Sequence, residues 1–190
     1  MSSAALATTV SFLELARSGR PERGAEMSEE AFAAVYWRTA SGLRGFVRRS
    51  LGAVDSGVVE DVMQEAYLRF LRSGFESSEP RVERGYLFTI AANLMRDRFR
   101  RARPEEELVV EPAAQQPREG LRRDVSRLFA RLAVKERQLL WLAHVEQRSH
   151  REVAEILGLR ETSVRVLLLR ARRRLACLLE HEGIGPEVLS

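Results

Sequence analysis

The sequence predicts an all-α protein of two small helical domains joined by a flexible linker. Three observations carry that expectation. Apolar residues recur at three- and four-residue spacing over most of the chain. No stretch alternates apolar and polar residues with period two. A proline-bearing acidic segment interrupts the helical pattern near the middle. The 190 residues, 45% apolar and 31% charged, suffice for one or two small cores and are too few for most barrels or large α/β enzymes.

The first helix is expected over residues 29–51, with Phe32, Val35, Tyr36, Leu43, Phe46 and Val47 inward and Trp37 in the core. Met27-Ser28-Glu29-Glu30 reads as a start followed by a capped helix, so residues 1–27 are either a misassigned start or a disordered regulatory arm. In the second helix Val59, Val62, Met63, Ala66 and Phe70 share one face, which leaves Glu60, Asp61, Gln64, Glu65 and Leu68 on the others. A loop over 73–81 carries Phe75. The third helix turns Leu87, Ile90, Ala91 and Leu94 inward, and its spacing places Thr89, Asn93, Arg96, Asp97 and Arg100 together on the opposite face. Residues 28–103 form the first domain.

Pro104, Pro112 and Pro117, with Glu105, Glu106 and Glu107, mark a linker over 104–120. The second domain is expected over 121–181, followed by a short tail over 182–190. Leu128, Leu132, Leu139, Leu140, Leu142 and Val145, with Trp141, are its first apolar residues. Ser149 and Glu152 then form an S-x-x-E capping box. Ala154 is small enough for close helix approach, Gly158 suits a left-handed turn, and Val164, Leu167, Leu168, Ala171 and Leu175 make the next apolar stripe. This is the pattern of a helix-turn-helix. Thr162, Arg165, Val166, Leu169, Arg170, Arg172 and Arg173 lie away from the stripe.

Charge is distributed unevenly. Residues 84–103 hold six Arg against one Asp, 104–120 one Arg against five Glu, and 121–181 fourteen basic against seven acidic side chains. Two basic blocks flanking an acidic spacer attract a polyanion by counterion release. Cys177 is the one cysteine, which excludes an intramolecular disulfide, and it is expected to be a buried small hydrophobe. His144, His150 and His181 lack the companions of a metal site. No cofactor or small-molecule substrate is expected, because no phosphate loop or nucleophile–base pair occurs at workable spacing. No apolar run approaches the roughly 18 residues of a membrane span, so a cytoplasmic protein without membrane insertion is expected.

Taken in order, these segments resemble the extracytoplasmic-function sigma factors of bacterial RNA polymerase. Val58-Val59-Glu60-Asp61-Val62-Met63-Gln64-Glu65-Ala66-Tyr67-Leu68-Arg69-Phe70 is similar to the family's E-D-x-x-Q-E-x-F/Y-L segment. The run from Tyr86-Leu87 through Ile90-Ala91, Asn93 and Asp97 to Arg100-Arg101 is similar to its W/Y-L-x-x-I-A-x-N-x-x-x-D-x-x-R-R segment, and residues 146–175 to its helix-turn-helix. The resemblance implies a promoter-specificity subunit that is not itself an enzyme. Its implied partners are core RNA polymerase, promoter DNA and an anti-sigma factor.

The site residues follow from the matched positions. Asp61, Gln64, Glu65 and Leu68 would dock on the polymerase. Phe75, Thr89, Asn93, Arg96, Asp97 and Arg100 would meet the minus-ten element; the loop over 73–81 resembles the family's loop that holds an unstacked base, and Phe75 either stacks on that base or plugs the core. His150, Thr162, Ser163, Arg165, Val166, Leu169, Arg170 and Arg173 would meet the minus-thirty-five element. The last helix departs from the family's V-K/R-S-R-L-x-R-A-R, because Val166 and Leu167 stand where Ser and Arg are usual. Arg160 also replaces a capping Ser or Thr, and Ala143 a common Arg. Val166 and Leu169 either contact thymine methyls or meet a protein partner. Two other readings are an autonomous helix-turn-helix regulator, which would need a dimer interface and a palindromic site, and a protein that sequesters a partner.

Overall fold

The computed structural model describes residues 27–52, 56–75, 77, 79–101 and 120–184. The expectations for residues 1–26, for the end of the tail and for all of the linker but Gly120 fall outside them. The first three helices form one unit. Helix α1 (Glu29–Leu51) starts at Ser28, whose Oγ accepts a hydrogen bond from the Ala31 N–H at 3.2 Å. Glu29 and Glu30 in its first turn and Arg48 and Arg49 in its last suit the helix dipole. It stops at Gly52, whose φ of 80° lies in a region that side-chain-bearing residues avoid. Helix α2 (Ser56–Arg72) follows, and α3 (Pro80–Arg101) opens on a proline, which is preset for the first turn.

Leu43, Phe46, Phe70, Leu87, Phe88 and Met95 are the fully buried centre of this unit, with Phe46 and Phe88 rings 5.1 Å apart. Two expectations of burial are corrected by the structure. Trp37 is 79% exposed: Val35, Thr39 and Leu43 take the inward face of α1, and two residues on from Val35 is about 200° around the helix. Cys177 is likewise exposed, two residues beyond half-buried Leu175.

The second unit comprises α4 (Gly120–Ala130), α5 (Val134–Leu140), which widens into a π-helical turn over Trp141–Val145, α6 (His150–Leu157) and α7 (Glu161–His181). Both capping-box bonds form: the Glu152 N–H donates to Ser149 Oγ at 3.3 Å, and the Ser149 N–H to Glu152 Oε2 at 2.8 Å. Gly158 ends α6 in the left-handed region at φ 63°. Leu139, Leu142, Val153, Ile156, Val164 and Leu168 fill the space between α5, α6 and α7. Val145 departs from the expected stripe and is 55% exposed, because the π turn rotates it outward.

The two units pack directly on each other, α6 against α3 and α5 against α1. The contact is both apolar and ionic. The Trp141 ring lies so close to Gly45 that a Cβ built there would sit 2.6 Å from it. Arg84 grips Glu146 with two hydrogen bonds of 2.7 and 3.0 Å, and Arg81 grips Glu152 with two of 2.7 Å. Arg148 donates to Glu152 at 2.9 Å and to the Arg81 carbonyl at 3.0 Å. The side chains of Glu146 and Arg148 retain only 4% and 3% exposure, so each buried charge requires its partner. Burial alone would raise the Glu152 carboxyl pKa. The hydrogen bonds from Arg81, Arg148 and both donors of Ser149 outweigh it and hold the group well below the usual carboxylate range.

Two outcomes follow for stability. Replacing Gly45 with Leu leaves no room for the Trp141 ring; thermal unfolding should show a loss of about 1–3 kcal/mol. In a Trp37→Phe background Trp141 emission should shift to the red. Replacing Glu152 with Gln leaves Arg148 buried without a countercharge and should cost about 3 kcal/mol at neutral pH. Because the folded pKa is depressed, the wild-type carboxylate contributes fully above about 4.5, its ordinary value, and progressively less as pH falls below it. Urea titrations between neutrality and pH 3 should therefore show the gap between wild type and Glu152→Gln closing with acid.

Candidate nucleic-acid interface

The polymerase-docking set lies on the outer side of α2. Asp61, Gln64 and Leu68 are exposed there, and half-buried Glu65 accepts a hydrogen bond from Arg69 one turn on, at 2.6 Å. Inward Val62, Met63 and Ala66 fix this orientation. Gln64 and Leu68 also line a groove between α1 and α2 with Phe32, Tyr36, Met63 and Tyr67. Its wall is aromatic, the Tyr67 ring lying 5.1 Å from Tyr36 and 5.9 Å, edge to face, from Phe32. The arrangement places carboxylate, amide and aliphatic groups along one accessible ridge.

The minus-ten set is divided by the fold. Phe75 is 9% exposed, with its ring 4.4 Å from Tyr86 and 6.2 Å from Phe70, so it plugs the core and offers no open stacking face. Thr89 is 1% exposed and its hydroxyl donates to the Gly85 carbonyl at 3.0 Å. Helical spacing put Thr89 outside, but α6 covers the side of α3 that α1 and α2 leave open, so residues 85–92 are buried all round. A threonine satisfied by its own helix is tolerated in such a place.

Asn93, Arg96, Asp97 and Arg100 emerge on the C-terminal half of α3, where the covering ends. Asn93 Oδ1 accepts from Arg96 Nη1 at 2.8 Å, and Asp97 pairs with Arg100 at 3.2 Å. Arg96 Nη2 reaches across to the Leu157 carbonyl at the end of α6, at 2.8 Å. That contact ties a member of the predicted minus-ten set to the second unit.

The minus-thirty-five set comes together on the helix-turn-helix. Thr162, Arg165, Val166, Leu169, Arg170 and Arg173 are exposed on α7, while Ser163 is half-buried. Val164, Leu168 and Ala171 anchor the opposite face. His150 is exposed at the first position of α6. Arg165, Arg170 and Arg173 engage no partner among the described residues. Arg172 instead donates to His144 Nε2 at 3.1 Å. Burial and that guanidinium both lower the His144 pKa, which keeps the ring a neutral acceptor. As expected from the sequence, Arg160 precedes α7 without a side-chain cap.

The ion-pair network of Arg81, Arg84, Glu146, Arg148 and Glu152 was missed by sequence reasoning, which gave Glu152 only its capping role. Two arginines three residues apart at the start of α3 were the visible signal, but nothing in the sequence names their acceptors. Among the described residues no helix is long and apolar enough to cross a membrane, and no group of side chains has the makings of a metal site.

Comparison with known proteins agrees with the two-unit division. Residues 35–105 match the sigma-70 region 2 family and residues 122–175 the sigma-70 region 4 family. No curated protein sequence matches the chain. Among solved structures, CnrH in complex with the cytosolic domain of CnrY has 23% identity and a TM-score of 0.61, over 90% of this chain and 97% of that one. The sigma factor RpoE in complex with the anti-sigma factor NepR, from Bartonella quintana, has 23% identity and a TM-score of 0.64, over 80% and 98%. With region 2 and region 4 in succession on an all-helical frame, the chain belongs to the sigma-70 family as a sigma factor of the extracytoplasmic-function type, the class of subunit that directs core RNA polymerase to promoters.

Proposed function

We propose that this sigma factor holds its partners through three separate surfaces. Asp61, Gln64, Glu65 and Leu68 dock on an arginine-bearing helical surface of core polymerase, where carboxylates meet guanidinium and Leu68 adds an apolar contact. Asn93, Arg96, Asp97 and Arg100 meet the minus-ten strand. His150, Thr162, Ser163, Arg165, Val166, Leu169, Arg170 and Arg173 face the minus-thirty-five duplex. The observation that carries the reading is the last surface: the second helix of a helix-turn-helix turns an arginine-bearing face outward, its Arg165, Arg170 and Arg173 unengaged among the described residues.

In this reading residues 28–103 bind polymerase and the minus-ten element, 104–120 tether the two units, and 121–181 bind duplex DNA. The 17-residue tether spans at most about 3.5 Å per residue, enough to bridge separated promoter elements once the units part. The chain contributes specificity and leaves bond formation to the core enzyme, in the cytoplasm where both partners reside. An anti-sigma factor is its natural regulator: RpoE is held by NepR in its complex, and the aromatic groove beside Gln64 and Leu68 suits such a partner on the same ridge that polymerase uses.

Reconstitution with bacterial core polymerase tests the reading. Saturable binding and discrete start sites on a library of genomic fragments are expected. Asp61→Arg with Glu65→Arg should weaken core binding by about tenfold or more without changing the melting temperature. Arg165→Ala and Arg170→Ala should each weaken upstream-duplex binding and lower the salt slope by about one. Sequence-specific duplex binding as a dimer, with no affinity for active core polymerase, would overturn it.

A further inference from the structure

The exposed face of α7 has an order that its basic character conceals. Thr162, Val166, Leu169 and Arg173 stand at i, i+4, i+7 and i+11, a single line down its middle. Val166 and Leu169 are 48% and 46% exposed. The line is one side chain wide and, at about 1.5 Å per residue, about 16 Å long. Arginines flank it on both sides: Arg165 and Arg172 on one edge, Arg170 on the other. Its centre is therefore methyl-bearing and nearly free of donors, and its edges are cationic.

We infer that Val166 and Leu169 read thymine methyl groups in the major groove, so that the upstream element of this factor is specified by thymines facing α7 rather than by hydrogen bonds to guanine or adenine. This rests on the proposal that α7 enters the minus-thirty-five duplex. A Val or Leu side chain cannot bond the O6 and N7 acceptors of guanine or the N6–N7 edge of adenine; the thymine C5 methyl is the group on a major-groove edge that it can recognise by contact. The cationic edges fit the same occupant. Two rows of phosphates border a major groove about 12 Å wide, with apolar methyls between them at its floor. A protein-docking face would place a broader apolar patch at its centre, and here arginines close in after one residue on either side.

The test uses the full chain on core polymerase and promoter duplexes randomised upstream of a fixed minus-ten region. Binding selection should enrich sites with thymines at fixed positions. Each selected site is then rebuilt with deoxyuridine for one thymine at a time, which removes the methyl and keeps every hydrogen-bonding group. Wild-type affinity should fall about fourfold at each methyl that is read. Val166→Ser and Leu169→Ser, both at exposed positions with melting temperatures as controls, should each abolish the dependence on one of those methyls while leaving core binding unchanged. Equal affinity for thymine and deoxyuridine sites, or selected sites without thymine, overturns the inference and leaves α7 as the duplex reader. Loss of core binding in the serine variants would instead assign this face to a protein and also overturn it. A wild-type holoenzyme that enriches no upstream sequence refutes the reading of α7 itself.

Discussion

Helix α3 has neighbours on every side, and the rest of the molecule is arranged around that constraint. Its middle, residues 85–92, faces α1 and α2 on one side and α6 of the other unit on the rest. A helix enclosed this way has no polar stripe to spare over that stretch, which is why Thr89 bonds its own backbone. Charges are displaced to the ends. Arg81 and Arg84 at the start meet Glu152 and Glu146, and Arg96 near the end meets the Leu157 carbonyl. Glu146 and Arg148 are shielded from water, so their charges must be matched, and the geometry of these pairs fixes how α6 lies across α3.

The surfaces assigned to polymerase and to DNA are what this packing leaves uncovered. On α2 the inward run of Val59, Val62, Met63, Ala66 and Phe70 commits Asp61, Gln64 and Leu68 to solvent. On α7 the anchors Val164, Leu168 and Ala171 do the same for Thr162, Val166 and Leu169. The capping box of α6 ties the two roles together, since Glu152 at once starts the first helix of the helix-turn-helix and receives Arg81 from α3. One carboxylate thus serves local structure and inter-unit packing.

Local rules made much of this legible in the sequence. Helix α1 was expected over the residues it occupies, because Ser28 is a strong start signal and the apolar residues from Phe32 to Val47 recur at helical spacing. The capping box at Ser149 and the left-handed Gly158 were equally plain. What failed depended on neighbours distant in the chain. Thr89 was placed outside because periodicity assumes one buried face, and α6 supplies a second. Phe75 left two readings open that only the position of Tyr86 decides. The pairs Arg84–Glu146 and Arg81–Glu152 join residues 62 and 71 positions apart across an intervening linker, beyond any helical-repeat argument. Trp37 was misjudged for a local reason: it was grouped with the apolar stripe of α1, while its phase, two residues on from Val35, points outward.

The hydrogen bond from Arg96 to the Leu157 carbonyl makes the described form one member of a linked equilibrium. For Arg96 to reach a nucleic acid, that bond must be exchanged, and the chain is then in a conformer with the Arg96 side chain released from α6. An affinity measured on the isolated chain therefore reports the intrinsic constant scaled by the population of that conformer; if it were about one molecule in a hundred, the apparent affinity would be about a hundredfold weaker. By reciprocity, any partner that favours the released side chain tightens nucleic-acid binding through Arg96 by the same factor without touching the nucleic acid itself.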